Sequence, residues 1–460
     1  MSDVAVVEAP SAARKRLTLV ACILGSSIAL LDGTIVNVAL PAIQRDLGGG
    51  LTAQQWIVDA YLLTLGSLIL VGGSLGDLFG ERRIFALGVG GFGAVSALCA
   101  LAPSSTLLIA ARGVQGIFGA LLTPSALAVI VTVFRGEERG AAIGTWTAWS
   151  GIAAVVGPLV GGELIAVATW RWIFLINVPL AALTVALVLA AVPGRTPGAS
   201  HARVDLMGAT LCVLGLGGTA FGLIEQRRLG WSSPAIWGSI AAGVVLLGAF
   251  VHWERRTAEP MLPLFLFRRR NFSVANLETF AVYAGLSTLM FFLTIFLQQL
   301  AGYSALQAGL SLLPVTIVMF VGSREVGRLS MRFGPRFFMA AGPLVAGGGV
   351  LLLARLGRHV SYLTDALPAM LIFAVGLTLT VSPLTTTVLA DAESGDAGIA
   401  SAVNNAVARI AGLLGIPIVG LAVSGRGLDV SGFHLTMIVT ALLVCTGGVL
   451  GAVGITNRGR

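Results

Sequence analysis

The chain has 460 residues, of which 56% are hydrophobic, only 11% are charged and 60 are glycine. An ordinary soluble domain carries about 25% charged residues, so this composition excludes a soluble globular protein. The formal net charge of +8 would fit nucleic acid if it were gathered on one face, but the 29 basic residues are scattered between apolar runs, and no nucleic-acid partner is expected.

A spanning helix needs about 20 apolar residues, and apolar runs bounded by charge, Pro or Gly predict fourteen. In chain order they cover 17 to 41, 52 to 75, 84 to 103, 105 to 133, 139 to 167, 172 to 192 and 206 to 225, then 235 to 253, 273 to 300, 305 to 329, 336 to 356, 361 to 389, 397 to 422 and 433 to 455. Lys and Arg accumulate on the cytoplasmic side of a membrane. With both termini inside, 19 basic residues fall in cytoplasmic segments, 7 on the other side and 3 (Arg112, Arg324 and Arg409) within spans. The basic residues before the first run imitate a secretory signal, but Asp32 and thirteen further spans follow, so the run reads as an uncleaved first span.

The segment GSLGDLFGERR, Gly73 to Arg83, recurs as GRLSMRFGPRF, Gly327 to Phe337, at an offset of 254 residues. At about 33 residues per span this is close to eight spans, which predicts two parallel six-helix halves with two helices between them, an architecture of transporters. The expected organisation is a tail over 1 to 16, a first bundle over 17 to 192, and a linker region over 193 to 272 holding two extra spans at about 206 to 225 and 235 to 253. A second bundle over 273 to 455 and a tail over 456 to 460 follow. The stretches 193 to 203 and 254 to 271 read as cytoplasmic linkers.

Several chemistries are excluded by the residues themselves. A phosphate-binding loop needs Lys, and the one lysine, Lys15, has no glycines in that spacing. Cys22, Cys99, Cys212 and Cys445 lie in apolar runs without a CxxC pair, and His201, His252, His359 and His434 have no ligand spacing. No metal, no cofactor and no enzymatic activity are expected: there is no HExxH and no GxSxG with catalytic partners. The GVGGFG at Gly88 to Gly93 lies inside a span and reads as packing glycine.

An ionisable residue in the bilayer is costly and is a functional candidate by default. At about 1.5 Å per residue, Asp32 lies about 14 Å and Arg112 about 10 Å below the outer ends of their spans, and Asp59 lies at a similar depth, so the three share one layer. Desolvation raises a carboxyl pKa and a nearby Arg lowers it, which makes Asp32 with Arg112 the candidate proton-coupling pair; the competing reading is a static buried pair that fixes packing. Arg112, Gln115, Gly116 and Gly119 share one helix face and aim Arg112 inward. Asp59 sits near the outer mouth, where solvation is expected as readily as function. Arg409, behind Asn404 and Asn405, is too deep for easy snorkelling. Glu163 and Glu278 read as interfacial and solvated, and Glu325 as a local partner of Arg324.

Four motifs carry a resemblance that covers nearly the whole chain. The first span reads LLDGTIVNVALPAI, Leu30 to Ile43; the loop between spans two and three reads GGSLGDLFGERR; the fourth span reads RGVQGIFGA, Arg112 to Ala120; and the fifth reads GIAAVVGPLVGG, Gly151 to Gly162. Together with FLQQLAGYSALQAGLSLLP, Phe296 to Pro314, they resemble the major facilitator superfamily, in particular its fourteen-span drug:proton antiporter branch. The repeated loop departs from the pattern at Met331, where the first copy has Asp77.

The resemblance implies an all-α polytopic protein of the bacterial inner membrane, with the major-facilitator fold and both termini cytoplasmic. It implies proton-coupled export, by alternating access, of amphipathic organic compounds, cations among them, with the proton as coupling ion. The alternatives are a dedicated exporter of one endogenous metabolite and, more remotely, a membrane scaffold or intramembrane enzyme. Asp32 and Arg112 take the proton-coupling roles, with Asp59, Asn37, Gln115 and Arg409 as cavity candidates. Gly73, Asp77, Gly80, Arg82 and Arg83 are expected to form a latch, the arginines engaging the opposite half. Gly151, Gly157, Pro158, Gly161 and Gly162 are expected to form a hinge or tight seal between halves, since a small-xxx-small surface lets helices approach closely. A monomer in contact with lipid is expected.

Overall fold

The computed structural model describes residues 11–194, 204–390, 397–423 and 428–457. The expected linker at 193 to 203, with His201, lies almost wholly outside them, as do most of the N-terminal tail and the last three residues. Among the described residues there is no strand.

Fourteen helical segments are long and apolar enough to cross a membrane. The first half holds α1 (Ala12–Leu47), α2 (Gly50–Phe79), α3 (Glu81–Ala100), α4 (Ser105–Val133), α5 (Glu137–Val167) and a sixth span made of α6 (Trp172–Leu175) and α7 (Asn177–Ala191). The inserted pair is α8 (Leu206–Leu229) and α9 (Pro234–Glu254). The second half holds α10 (Arg270–Gln299), a span made of α11 (Ala305–Ser311) and α12 (Leu313–Phe333), α13 (Pro335–Leu353), α14 (Leu367–Ala390), α15 (Ala397–Gly420) and α16 (Val430–Gly454). The α11–α12 break is marked by Pro314 in the first turn of α12, where a proline lacks only a hydrogen bond the helix start would not have made. An even number of crossings puts Ala12 and Gly454 at one face, here the terminal face; the other is the distal face.

The internal repeat has a structural meaning. Gly80 and Gly334, its matched glycines, both adopt positive φ, +90° and +86°, and each turns one span directly into the next, a conformation that side chains rarely take. The matched arginines do the same work in each half: Arg82 donates to the Leu189 carbonyl at 2.5 Å, and Arg336 to the Ala452 carbonyl at 2.8 Å. Those carbonyls end α7 and α16, the last helix of each half. Arg14 and Arg270, at the starts of α1 and α10, likewise donate to Ala191 and Gly454. The last carbonyls of a helix lack intrahelical donors and carry the negative end of its dipole, so arginines on the terminal face clamp each half to itself. The expectation that the loop arginines engage the opposite half is therefore corrected: Arg82 stays within its own half, Arg83 is exposed, and Asp77 is an exposed side chain with no hydrogen bond or ion pair among the described residues. Gly73 passes Pro124 of α4.

Helix α8 packs against both halves, with Leu216 and Ala220 buried in a cluster that includes Val71 of α2 and Leu413 of α15. At its distal end Glu225 accepts from Trp56 Nε1 of α2 at 2.9 Å, and Arg227 donates to the Gly420 carbonyl of α15. Helix α8 thus braces the α2–α15 seam.

Candidate functional site

The site is built where α1, α3, α4 and α7 converge. Asp32 and Arg112 are fully buried, at 0% and 1% exposure, and Arg112 Nη1 lies 2.5 Å from Asp32 Oδ2. The same nitrogen donates to Gln115 Oε1 at 2.6 Å, and Arg112 Nε donates to the Ile57 carbonyl of α2 at 3.1 Å. Gln115 Nε2 donates to Asp32 Oδ1 at 3.2 Å and to Ser96 Oγ at 2.8 Å. Asn177 Nδ2 reaches Asp32 Oδ1 and Ser96 Oγ, each at 3.3 Å. The guanidinium also lies 4.2 Å from the centre of the Tyr61 ring, a cation–π distance.

The i, i+3, i+4, i+7 face of α4 is what brings these groups together: Arg112, Gln115, Gly116 and Gly119 are all buried. Gly116 lets α2 approach, since a Cβ there would meet the Tyr61 carbonyl at 2.5 Å and Leu65 N at 3.2 Å. Both carboxylate oxygens have donors, as a buried charge requires. Sequence reasoning found Asp32, Arg112 and Gln115 but missed Asn177, Ser96 and Tyr61. Asn177 is a lone amide in an otherwise apolar run and carried a readable signal; Ser96, one small hydroxyl in a glycine-rich span, carried none.

Two carboxylates are placed differently from expectation. Asp59 is not solvated at a mouth: it is fully buried, and neither oxygen has a partner in the structure. Its neighbours along α2, Gln55 and Leu62, meet Gly420 and Gly412 of α15, so its face is covered by the other half. Glu278 is not interfacial either; it is buried without partners beneath Gly447 and Gly451 of α16. Glu163 is exposed, as expected. Glu325 pairs with Arg328, one turn on, and not with Arg324. Asn37 is half-buried and donates to the Gly33 carbonyl of its own helix at 3.5 Å. Gly33, one turn earlier, is exposed with open space before it.

The α5 motif forms a seam. A Cβ at Gly157 would strike Thr34 and lie 3.1 Å from the Leu31 carbonyl, and one at Gly161 would strike Ile35, so α5 lies flush on α1. Gly162 faces the other half, where a Cβ would stand 2.6 Å from Leu306 Cα and 2.9 Å from the Ala305 carbonyl, and Gly309 abuts the Pro158 carbonyl. Gly151 faces open space. At the same distal level Gln298 donates to the Val38 carbonyl at 2.9 Å and Gln299 to Gln44 Oε1 at 2.8 Å. The halves are closed together at the distal face through these contacts.

Two pseudo-repeated helical halves, a distal seam of bare backbone and an ion pair held out of water define a polytopic membrane transporter. The chain belongs to the Major Facilitator Superfamily, whose sequence profile matches residues 22–416. The fold and the family are those of transporters, not of enzymes. The chain is 37% identical to the puromycin resistance protein pur8 of Streptomyces alboniger, covering 92% of this chain and 86% of that protein. It is 36% identical to the methylenomycin A resistance protein of Bacillus subtilis strain 168, covering 88% and 87%, and 32% identical to the multidrug transporter protein MdtP of the same strain, covering 90% and 76%. Among solved structures it resembles a POT family transporter in complex with a thioalcohol-conjugated peptide, with a TM-score of 0.71 at 13% identity over 95% of this chain and 94% of that one. It also resembles a bacterial homologue of the human lysosomal transporter Spinster, with a TM-score of 0.67 at 17% identity over 96% and 97%.

Proposed function

We propose that this chain exports amphipathic organic compounds in exchange for protons, by alternating access, as a monomer in the bacterial inner membrane with its terminal face toward the cytoplasm. The observation that carries the proton coupling is the Asp32–Arg112 pair, because residues within one helical turn of Asp32 seat α5, the helix that closes the distal face against the other half. Leu31, Thr34 and Ile35 on either side of Asp32 receive Gly157 and Gly161 of α5. Gly162 and Pro158 of the same helix then meet α11 of the other half.

Protonating Asp32 removes the charge that holds Arg112 Nη1, Gln115 and Asn177. Arg112 keeps the Ile57 carbonyl, Gln115 Oε1 and the Tyr61 face, so the guanidinium has neutral acceptors ready when the carboxylate is neutralised. The loss of the ion pair loosens α1 from α4 and, through α5, the distal seam. Protons taken up at one face and released at the other would drive the cycle; no other cofactor enters this scheme.

The relatives named for resistance to single antibiotics, puromycin and methylenomycin A, favour a second reading, export of one dedicated compound. A single assay addresses both. The protein is reconstituted in liposomes with an imposed pH gradient, and compounds including ethidium and puromycin are added in turn. Dissipation of the gradient by several unrelated compounds is expected; dissipation by one compound alone would favour the dedicated reading, and dissipation by none would contradict proton coupling.

A further inference from the structure

Arg409 is a cation within the transmembrane helices for which the structure shows no acid. It lies twelve residues, about 18 Å, from the terminal end of α15, farther than a side chain can snorkel to reach water. Among the described residues it makes no hydrogen bond and no ion pair, and its buried Nε has no acceptor. Its stem passes α2 at Gly66, where a Cβ would lie 3.1 Å from Arg409 Cβ. Asn405, one turn earlier on the same face of α15, is half-buried, as is Arg409 itself.

The acids at membrane depth do not answer this charge. Asp32 is fully engaged by Arg112, Gln115 and Asn177. Asp59 and Glu278 are sealed, with no partner of either sign. An unpaired guanidinium in an apolar layer is costly, and its planar fork of donors matches a carboxylate in a bidentate way that a lysine does not. The amide of Asn405, on the same helix face, can donate to the remaining oxygen lone pairs of such a group.

We propose that Arg409, with Asn405, binds an acidic group, a carboxylate or comparable oxyanion, on the exported compound. The site selects acidic or zwitterionic amphipaths over their neutral counterparts. The inference rests on reading the chain as an exporter, and its test is one of binding, which does not require proton coupling.

The test compares three fluorescent probes of one body, 1-pyrenebutyric acid, its methyl ester and 1-pyrenemethylamine, by energy transfer from tryptophan in protein-containing nanodiscs. Wild type should bind the acid at least tenfold more tightly than the ester, which corresponds to about 1.4 kcal/mol. Arg409→Gln should abolish that preference while leaving the ester's affinity unchanged, which also shows that the variant is folded; Arg409→Lys should restore part of it. Equal affinities of acid and ester in wild type, a preference for the amine, or a fall in ester affinity equal to that of the acid in Arg409→Gln would each overturn the proposal. If the acid preference is present but no compound dissipates a pH gradient in liposomes, the anion site stands and proton coupling fails.

Discussion

Arg112 and Asp32 satisfy each other's charge, yet their substitutions are expected to differ in cost. Arg112→Ala leaves Asp32 as a buried carboxylate held only by the amides of Gln115 and Asn177, and removing one partner of a buried pair costs about 3–5 kcal/mol. Asp32→Asn leaves the guanidinium with the Ile57 carbonyl, Gln115 Oε1 and the Tyr61 ring, and its loss should be smaller. The thermal midpoints of the two purified variants measure this directly: Arg112→Ala should fall well below Asp32→Asn, and the reverse order would contradict the assigned network. The pair was legible in the sequence because depth can be counted along two helices and charge inside a bilayer is rare. Its surroundings were not, since a serine and a glycine look alike whether they face lipid or a carboxylate. Asp59 and Glu278 were misplaced for a related reason: distance from a helix end says how deep a residue lies, not whether another helix covers it.

At the scale of helices, α5 shows how much glycine spacing encodes. Gly157, Gly161 and Gly162 were legible as a close-approach surface, but only the packing assigns Gly157 and Gly161 to α1 and Gly162 to α11. Gly162→Leu would place a side chain against the backbone of Leu306 and Ala305, where no flexible atom can give way, and should part the halves at the distal face. Gly151→Ala, with nothing within 4 Å, is the matched control. Cysteines introduced as Gln44→Cys and Gln299→Cys, at positions whose side chains meet at 2.8 Å, report on the seam by cross-linking. Cross-linking should be efficient with Gly151→Ala and fall several-fold with Gly162→Leu; equal efficiency in both would show that Gly162 does not hold the seam. The loop arginines teach the opposite lesson. Their abundance at one face was readable as orientation, but their bonds to the ends of α7 and α16 depend on where the sixth helix of each half finishes, which no local pattern reveals.

For the whole molecule, the fourteen spans and the offset of the repeat were legible because hydropathy and a 254-residue periodicity are properties of the chain itself. The position of the inserted pair was not: α8 lies across the α2–α15 seam, bonded to Trp56 of one half and Gly420 of the other, and sequence order places it only between halves. The same seam carries Arg409, so the brace and the proposed anion site share the α2–α15 seam, whereas the distal closure is made by α5 on α11. In the proposed scheme the proton site acts on the distal seam through α1 and α5. The most direct test separates coupling from passage by measuring two fluxes in one liposome preparation for wild type and Asp32→Asn: accumulation of a transported compound driven by a pH gradient, and exchange of that compound at equal pH. The expected result is that Asp32→Asn keeps exchange and loses gradient-driven accumulation. Accumulation undiminished in Asp32→Asn would contradict proton coupling through Asp32 and move the proton to another group.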